Sequence, residues 1–374
     1  MTTSPATSRT EGAKFFAAEV ARRVLVPLQL LCAGITAGVT GRVARLCGDT
    51  MGTTWTVQYV VPAGESGVAA IDLQRNQDEA TEATIRAVLD SVIAGMSNWR
   101  GDSDISRFNC APAGSWVTLS DACFDVVETA LKVARLTGGA FDPCAGPLIN
   151  LWGFGPAGRR EHAPSAAEVE AIRRYCGWSR IELDRSTLRV RQPGHASLDL
   201  CAIAKGYAVD AVSEALTHVG IGHHLVEIGG ELRGEGVKPD GMPWWVEIET
   251  PLHVDVLHDS RNTLPTHDLI ALHGLSVATS GDYRRYFVDR DAQRQYAHTI
   301  DPRTGYPANH ALASVTVVHR ECMLADALST ALMVLGPDAG MALAHRERIA
   351  ARCVTRTADG FGETVSPAYA AMLE

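Results

Sequence analysis

"ASVTVVHRECMLADALSTALMVLG" occupies residues 313–336. Its first six residues are rich in β-branched side chains and read as a strand. "CMLADALSTALMVLG", residues 322–336, is small and apolar and reads as a helix. That helix carries Asp326 and, four residues later, Thr330, and residues at that spacing stack on one helical face. An isolated carboxylate in an apolar helix is costly unless it is paired, hydrogen-bonded or neutral. No Lys or Arg stands at 322, 323, 329 or 330, so a local ion pair is excluded. Two readings of Asp326 stay open on the residues alone. Carboxylate plus hydroxyl suits a hard, oxygen-seeking cation such as Mg²⁺. Equally, the carboxylate could bond a neighbouring backbone or cap the helix near its start.

The same strand-then-helix alternation runs outward from this stretch without a regular βαβ period. "CGDTMGTTWTVQYVV" reads as a strand, and residues 61–76, with Pro62, Gly64 and Gly67, as a loop. Residues 77–95, "FDVVETALKVARLTGG", "AEVEAIRRYCG" and "IAKGYAVDAVSEALTHVG" have helical spacing. Short strands fall around 180–191, and a run of them follows: "HHLVEIG", "ELRGEG", "WWVEIE", "LIALHG", "SVATSG" and "YRRYFV". Residues 251–267 read as a surface loop. This interspersion predicts an α+β fold with mixed or antiparallel sheets and packed helices rather than a doubly wound sheet.

With 374 residues, 46% of them hydrophobic, the chain has material for a large core and for two lobes. Its net charge of −9 argues against a general nucleic-acid binder, which needs a basic face. Nine cysteines are scattered singly with no CxxC pair, which predicts neither a structural zinc site nor a disulfide framework and favours a reducing compartment. Residues 1–44 read as an N-terminal extension to a single domain over 45–374. "RRVLVPLQLLCAGITAGVTG" has the arginines and apolar run of a secretory signal, but it starts late and contains Pro27 and several glycines. The expectation is a cytoplasmic protein; export, or an anchor at the inner membrane with the domain facing the periplasm, is the alternative.

Familiar catalytic signatures are missing: there is no GxxxxGK[ST], GxGxxG after a strand, GxSxG or HExxH. His218, His223 and His224 straddle a helix end and a strand start, which favours structural roles over a metal. Four other stretches are rich in glycine and polar groups: "MSNWRGDSDISRFN" (96–109), "GGAFDPCAGPLINLWGFGP" (138–156), "LDLCAIAKGYAVD" (198–210) and "ATSGDYRRYFVDRDAQRQYAHTIDPRTGYP" (278–307).

Together with "MGTTW", "VEIGGELRGEG" and "ADALSTALMVLG", and in this order, those stretches resemble the ApbE-like FAD:protein FMN transferase family from about Gly48 to Gly336. The resemblance implies two lobes around a central FAD cleft. It implies an enzyme that splits the FAD pyrophosphate, releases AMP and passes FMN to a Ser or Thr hydroxyl of an acceptor flavoprotein, typically a respiratory or redox subunit. It also implies Mg²⁺, with Asp326, Thr330 and the backbone carbonyl of Ala202 as ligands. Met51, Trp99, Ala140, Phe141, Asp142, Asp199, Lys205 and Ile300 fall at FAD-lining positions, and His298 at the position of a general base. The residue chemistry agrees: a histidine titrates near neutral pH, and Lys205, a cation and N–H groups near Ser280 can meet charge growing on phosphate oxygens. Trp99 and Phe141 offer flat surfaces for stacking. Cys144, Cys201 and Ala202 depart from the commoner residues of the pattern. Hydrolysis of FAD to FMN and AMP by the same site, or flavin binding without catalysis, are the competing functions.

Overall fold

Eight strands form one antiparallel sheet, and their order across it is their order along the chain. The computed structural model describes residues 22–27, 39–63, 68–248, 267–282, 286–289, 294–358 and 360–373. The strands are β1 (Gly41–Thr50), β2 (Thr53–Pro62), β3 (His224–Ile228), β4 (Glu231–Glu235), β5 (Leu275–Gly281), β6 (Leu312–His319), β7 (Ala350–Thr357) and β8 (Gly360–Val365). Each pairs antiparallel with the next. The helices that matter below are α1 (Val68–Met96), α2 (Asp104–Asn109), α3 (Asp121–Leu136), α4 (Gly146–Leu151), α5 (Ala166–Arg173), α6 (Ala204–His218) and α7 (Cys322–Leu335). The expected α+β class with an antiparallel sheet is what the chain forms.

Alternation along the strands explains how the sheet is covered. Val57 and Tyr59 of β2 face a core built with Leu89 of α1, Phe124 of α3, Val212 of α6 and Leu332 of α7. Val60 of the same strand faces the other way, into a cluster with Leu25, Trp244, Ile270 and Tyr369. Successive strand residues point to opposite faces, so a strand covered on both sides reads as a continuous apolar run. That is why "ASVTVV" carries no charged residue, its Ser314 and Thr316 being buried as well. The second cluster is roofed by a small sheet in which His267–Leu272 pairs antiparallel with Trp244–Ile248 and parallel with Arg22–Leu25. Thus Arg22–Leu25, inside the stretch expected to be an extension, joins the fold: Leu25 is fully buried, and Arg23 pairs with Asp268 and Glu363. Most of the remaining signal-or-anchor stretch, and the loop expected over 251–267 up to residue 266, lie outside the described residues. Among the described residues no helix is long and apolar enough to cross a membrane.

Two local readings change. "CGDTMGTTWTVQYVV" is a hairpin, not one strand. Met51 and Gly52 have φ of 47° and 72°, the two positive values of a type I′ turn, and Thr50 faces Thr53 across it. Helix α1 begins at Val68, inside the stretch read as loop.

Helix α7 is apolar nearly all round because it is covered nearly all round. It packs on β5 and β6 and against α6. The approach to α6 is closest at Gly206, where a Cβ would stand 2.3 Å from the Cys322 carbonyl oxygen and 2.8 Å from the Asp326 Cβ. At this crossing each helix caps the other. Asp210 of α6 accepts the N–H groups of Cys322 (3.0 Å) and Met323 (2.9 Å) at the start of α7. Asp326 of α7 accepts the Gly206 N–H (3.0 Å) near the start of α6. Orphan N–H groups of both first turns are thereby satisfied by carboxylates, the charge that a helix N-terminus favours.

Gly→Ala in a helix interior ordinarily stabilises by up to about 1 kcal/mol. At Gly206 the sign reverses: Gly206→Ala is expected to cost about 1–3 kcal/mol by overpacking, read as a lower midpoint in urea unfolding. An unchanged or raised midpoint would show that the two helices can separate freely.

Candidate functional site

The expected site residues fall into three groups, of which the first lies at the α6–α7 crossing. The first holds the α7 carboxylate. Asp326 is 3% exposed. Lys205, on the first turn of α6, puts Nζ 3.6 Å from Asp326 Oδ2 and 2.7 Å from Oε1 of Glu231. The ion pair missing within the helix is therefore supplied from another element, and the backbone-capping reading is also met, on α6 rather than α7. Burial alone would pull the Lys205 pKa down, but Asp326 and Glu231 outweigh it and hold the ammonium charged. Glu231, which opens β4, is 4% exposed, and its Oε2 is buried with no hydrogen-bond partner. Burial pushes its carboxyl up, with Lys205 opposing and Asp326 reinforcing the shift.

One turn further along α7, the Thr330 hydroxyl lies 3.0 Å from Ser280 Oγ, which lies 2.8 Å from Ser329 Oγ. Ser329 in turn donates to the Asp326 carbonyl (2.9 Å). Ala202 sits two residues before α6. In a regular helix the Gly206 N–H would donate to the Ala202 carbonyl, four residues back. Here that N–H goes to Asp326, so the Ala202 carbonyl keeps its lone pairs for another partner. Among the described residues no group of three His, Cys, Asp or Glu side chains is placed to hold a metal. The donors gathered here are oxygens of mixed type: carboxylate, hydroxyl and backbone carbonyl. With an orphaned carboxylate oxygen beside them, they fit a hard divalent cation such as Mg²⁺ and would suit a soft metal poorly.

The second group surrounds Asp199 and Asp142. Asp199 Oδ2 accepts from the Asn98 side chain (2.7 Å) and Oδ1 from the Cys201 N–H (2.9 Å). Its own N–H donates to the Pro143 carbonyl (2.8 Å), which ties the two aspartate loops together. Asp142 accepts the N–H groups of Cys144 (2.7 Å) and Trp178 (3.1 Å). Burial pushes its pKa up to about 6 even though these N–H groups favour the ionised form. Ala140 and Phe141, just before it, are buried. Trp99, next to Asn98, is 62% exposed and free to present a ring face. Of the departures from the family pattern, Cys144 is fully buried, and Cys201 Sγ lies 3.7 Å from Asn98 Oδ1, a weak contact on the residue that holds Asp199. Met51 at the hairpin tip is half-buried against the main core.

His298 and Ile300 belong to the third group. Ile300 packs with Leu148, Trp152 and Val169 of the α4–α5 region. The His298 ring stands edge-on to Phe154, with centroids 6.3 Å apart. Asp301, three residues on, accepts from both Nε and Nη2 of Arg303 at 2.9 Å. A cavity of about 260 Å³ is walled by Trp152, Tyr296, Ala297, Tyr306 and Pro307 among others, without His298 in its lining. Gly139, with φ of 81°, brings this group to the second: a Cβ there would lie 3.3 Å from the Trp178 Nε1 and 3.9 Å from Arg303 Cγ. The three histidines at the end of α6 and the start of β3 each hydrogen-bond close by. His224 bonds Ser213 and the Ile221 carbonyl, His223 accepts the Val237 N–H, and His218 bonds the Glu214 carbonyl.

Sequence reasoning did not single out Glu231, Asp210, Gly206 or Asn98. The signal for Glu231 was an acid opening a strand directly after Gly229–Gly230. The signal for Asp210 and Gly206 was their place on the face of α6 that meets α7, which spacing within one helix does not reveal.

The ApbE family model matches residues 51–353. The chain is 38% identical over 325 residues to an FAD:protein FMN transferase of Vibrio cholerae, covering 87% of this chain and 91% of that one. It is 33% identical over 334 residues to the Escherichia coli K12 protein of the same name, covering 88% and 89%. Among solved structures, the apo flavinyl transferase ApbE of Pseudomonas stutzeri superposes with a TM-score of 0.77 at 40% identity, covering 89% of this chain and 97% of that one.

The Asp142 shift has a measurable consequence. A carboxyl whose folded pKa is raised to about 6 contributes stability that is full below its unfolded value, near 3.8, and is lost as pH rises through 6. Between pH 4 and 6 the wild-type denaturation midpoint should therefore fall relative to that of Asp142→Asn. Parallel curves for the two proteins would exclude the shift.

Proposed function

This chain belongs to the ApbE family, and on that premise we propose that it is an FAD:protein FMN transferase, moving FMN from FAD to a Ser or Thr hydroxyl of an acceptor flavoprotein of respiratory or redox type. The observation that carries the reading is the set of oxygens at the α6–α7 crossing: a buried Asp326, Thr330 one turn on, and an Ala202 carbonyl released from helix bonding.

In this reaction the acceptor oxygen forms a bond to the phosphorus on the FMN side of the pyrophosphate. The bond from that phosphorus to the bridging oxygen breaks, and AMP leaves with the electron pair. The acceptor hydroxyl must lose a proton as it attacks, and the His298 imidazole takes it at a ring nitrogen. Asp326, Thr330 and the Ala202 carbonyl would hold Mg²⁺, which when bound supplies positive charge against the pyrophosphate oxygens. Lys205 adds an ammonium at the same place. Asp142 and Asp199 hold the loops that wall the flavin nucleotide, because their carboxylates are fixed by backbone and Asn98 donors. Trp99 offers its exposed ring for stacking, and Met51, Ala140, Phe141 and Ile300 line the remainder. The two lobes of the family would close around that nucleotide.

Incubation with FAD, Mg²⁺ and a Thr-bearing acceptor protein should add the mass of FMN to the acceptor. His298→Ala should lower transfer by about 10²–10⁴-fold, the usual contribution of a general base, while FAD binding persists. Asp326→Ala should abolish both transfer and metal dependence. Free FMN and AMP with no labelled acceptor would instead favour hydrolysis.

A further inference from the structure

Glu231 has no part in the reaction just described, yet its position is costly. A carboxylate 4% exposed, with one oxygen lacking any hydrogen-bond partner, needs a reason to be retained. Its other oxygen bonds Lys205 Nζ, and the same ammonium reaches Asp326. Two buried carboxylates thus share a single ammonium. The local sum is one negative charge in excess, and like charges at this range in a poorly hydrated interior repel strongly. The groups next to Asp326 are N–H and hydroxyl dipoles, which cannot cancel a full charge: the Gly206 N–H, and the Ser329 hydroxyl on its carbonyl. A proton or a second cation would cancel it, and the unpartnered Glu231 oxygen is placed to meet either.

We propose that Glu231 is part of the divalent-cation site: its free oxygen faces the ion directly or through one water, and Lys205 is the exchangeable cation that bridges Glu231 and Asp326 when no metal is bound. This rests on the cation assignment above and extends it to an acidic residue from a different strand. Arrival of the ion on Asp326 leaves Lys205 to Glu231 alone and relieves the carboxylate repulsion. The arrangement also gives selectivity for charge. A monovalent ion would leave the same balance as a protonated carboxyl, whereas a divalent one offsets the excess with charge to spare for an anionic substrate. The close approach at Gly229, where a Cβ would meet the Lys205 Cδ at 3.4 Å, keeps the lysine stem on this path.

The test uses the full chain, with no flavin, titrated with Mn²⁺ alone and followed by its electron paramagnetic resonance signal and by thermal unfolding. Glu231→Gln, which keeps shape and one acceptor, should weaken Mn²⁺ binding by about 10–100-fold, the range for groups that support metal ligands. Lys205→Met should lower the metal-free melting temperature and bind Mn²⁺ at least as tightly as wild type, so that its melting temperature rises more on adding Mn²⁺. If Glu231→Gln binds Mn²⁺ like wild type while Asp326→Asn does not, Glu231 merely tethers the lysine and the proposal is overturned with the cation site intact. If Asp326→Asn also binds like wild type, the cation assignment itself fails.

Discussion

Two carboxylates, each on the flank of one helix and bonded to the first turn of the other, set the geometry on which everything else at the site depends. Asp210 closes the start of α7 and Asp326 the start of α6. Arg233 of β4 bonds Asp210 (2.8 Å), fastening the pair to the sheet. The N-terminal ends of two helices thus come together although their dipoles repel. The carboxylates between them offset that repulsion, and Gly206 removes the one Cβ that would hold them apart. Because the helices meet here, residues far apart in the chain share one small volume: Lys205 from one, Asp326 from the other, Glu231 from the strand beneath.

Such a cluster stabilises the fold little. Buried ion pairs often do no better than well-packed apolar residues of the same size, because desolvation offsets most of the attraction. A core that already contains Val212, Leu328 and Leu332 could have closed this gap with hydrocarbon. Retaining two acids, a lysine and three hydroxyls there makes sense when the gap must accept charge. The donors present, oxygens of mixed type, suit a hard cation better than a soft one.

The sequence showed more of the elements than of their meeting points. Helical and strand periodicity placed α3, α5, α6 and α7 and the strands from "HHLVEIG" to "ASVTVV", because each lies against a core and carries that core's spacing. It missed the turn at Met51, where a non-glycine residue takes a positive φ that no composition rule marks. Asp326 was legible as an anomaly, and the absence of a basic residue one turn away correctly excluded a local partner. Its actual partners, Lys205 and the Gly206 N–H, are 121 and 120 residues distant. Periodicity is a property of one element, so it cannot reveal a contact made by packing two. Glu231 was hidden for the same reason: within its strand it is one acid among polar neighbours, and only the fold buries it.

The sheet whose strands follow one another in chain order also bears on how this protein can change. Between β2 and β3 the chain departs for residues 63–223 and returns to the neighbouring strand, a spacing of about 4.8 Å. That long excursion, with the Asp142 and Asp199 loops on it, starts and finishes at almost the same point. Closing it costs free energy that grows only with the logarithm of its length. Loops on the excursion can therefore gain or lose residues while the eight-stranded ladder stays in register. Within the excursion, α6 is set apart, because its caps bind it to α7 and it runs within a few residues of β3. Insertions between α1 and α5 are thus mechanically separated from the helix crossing, and a lineage could reshape that surface without rebuilding the crossing.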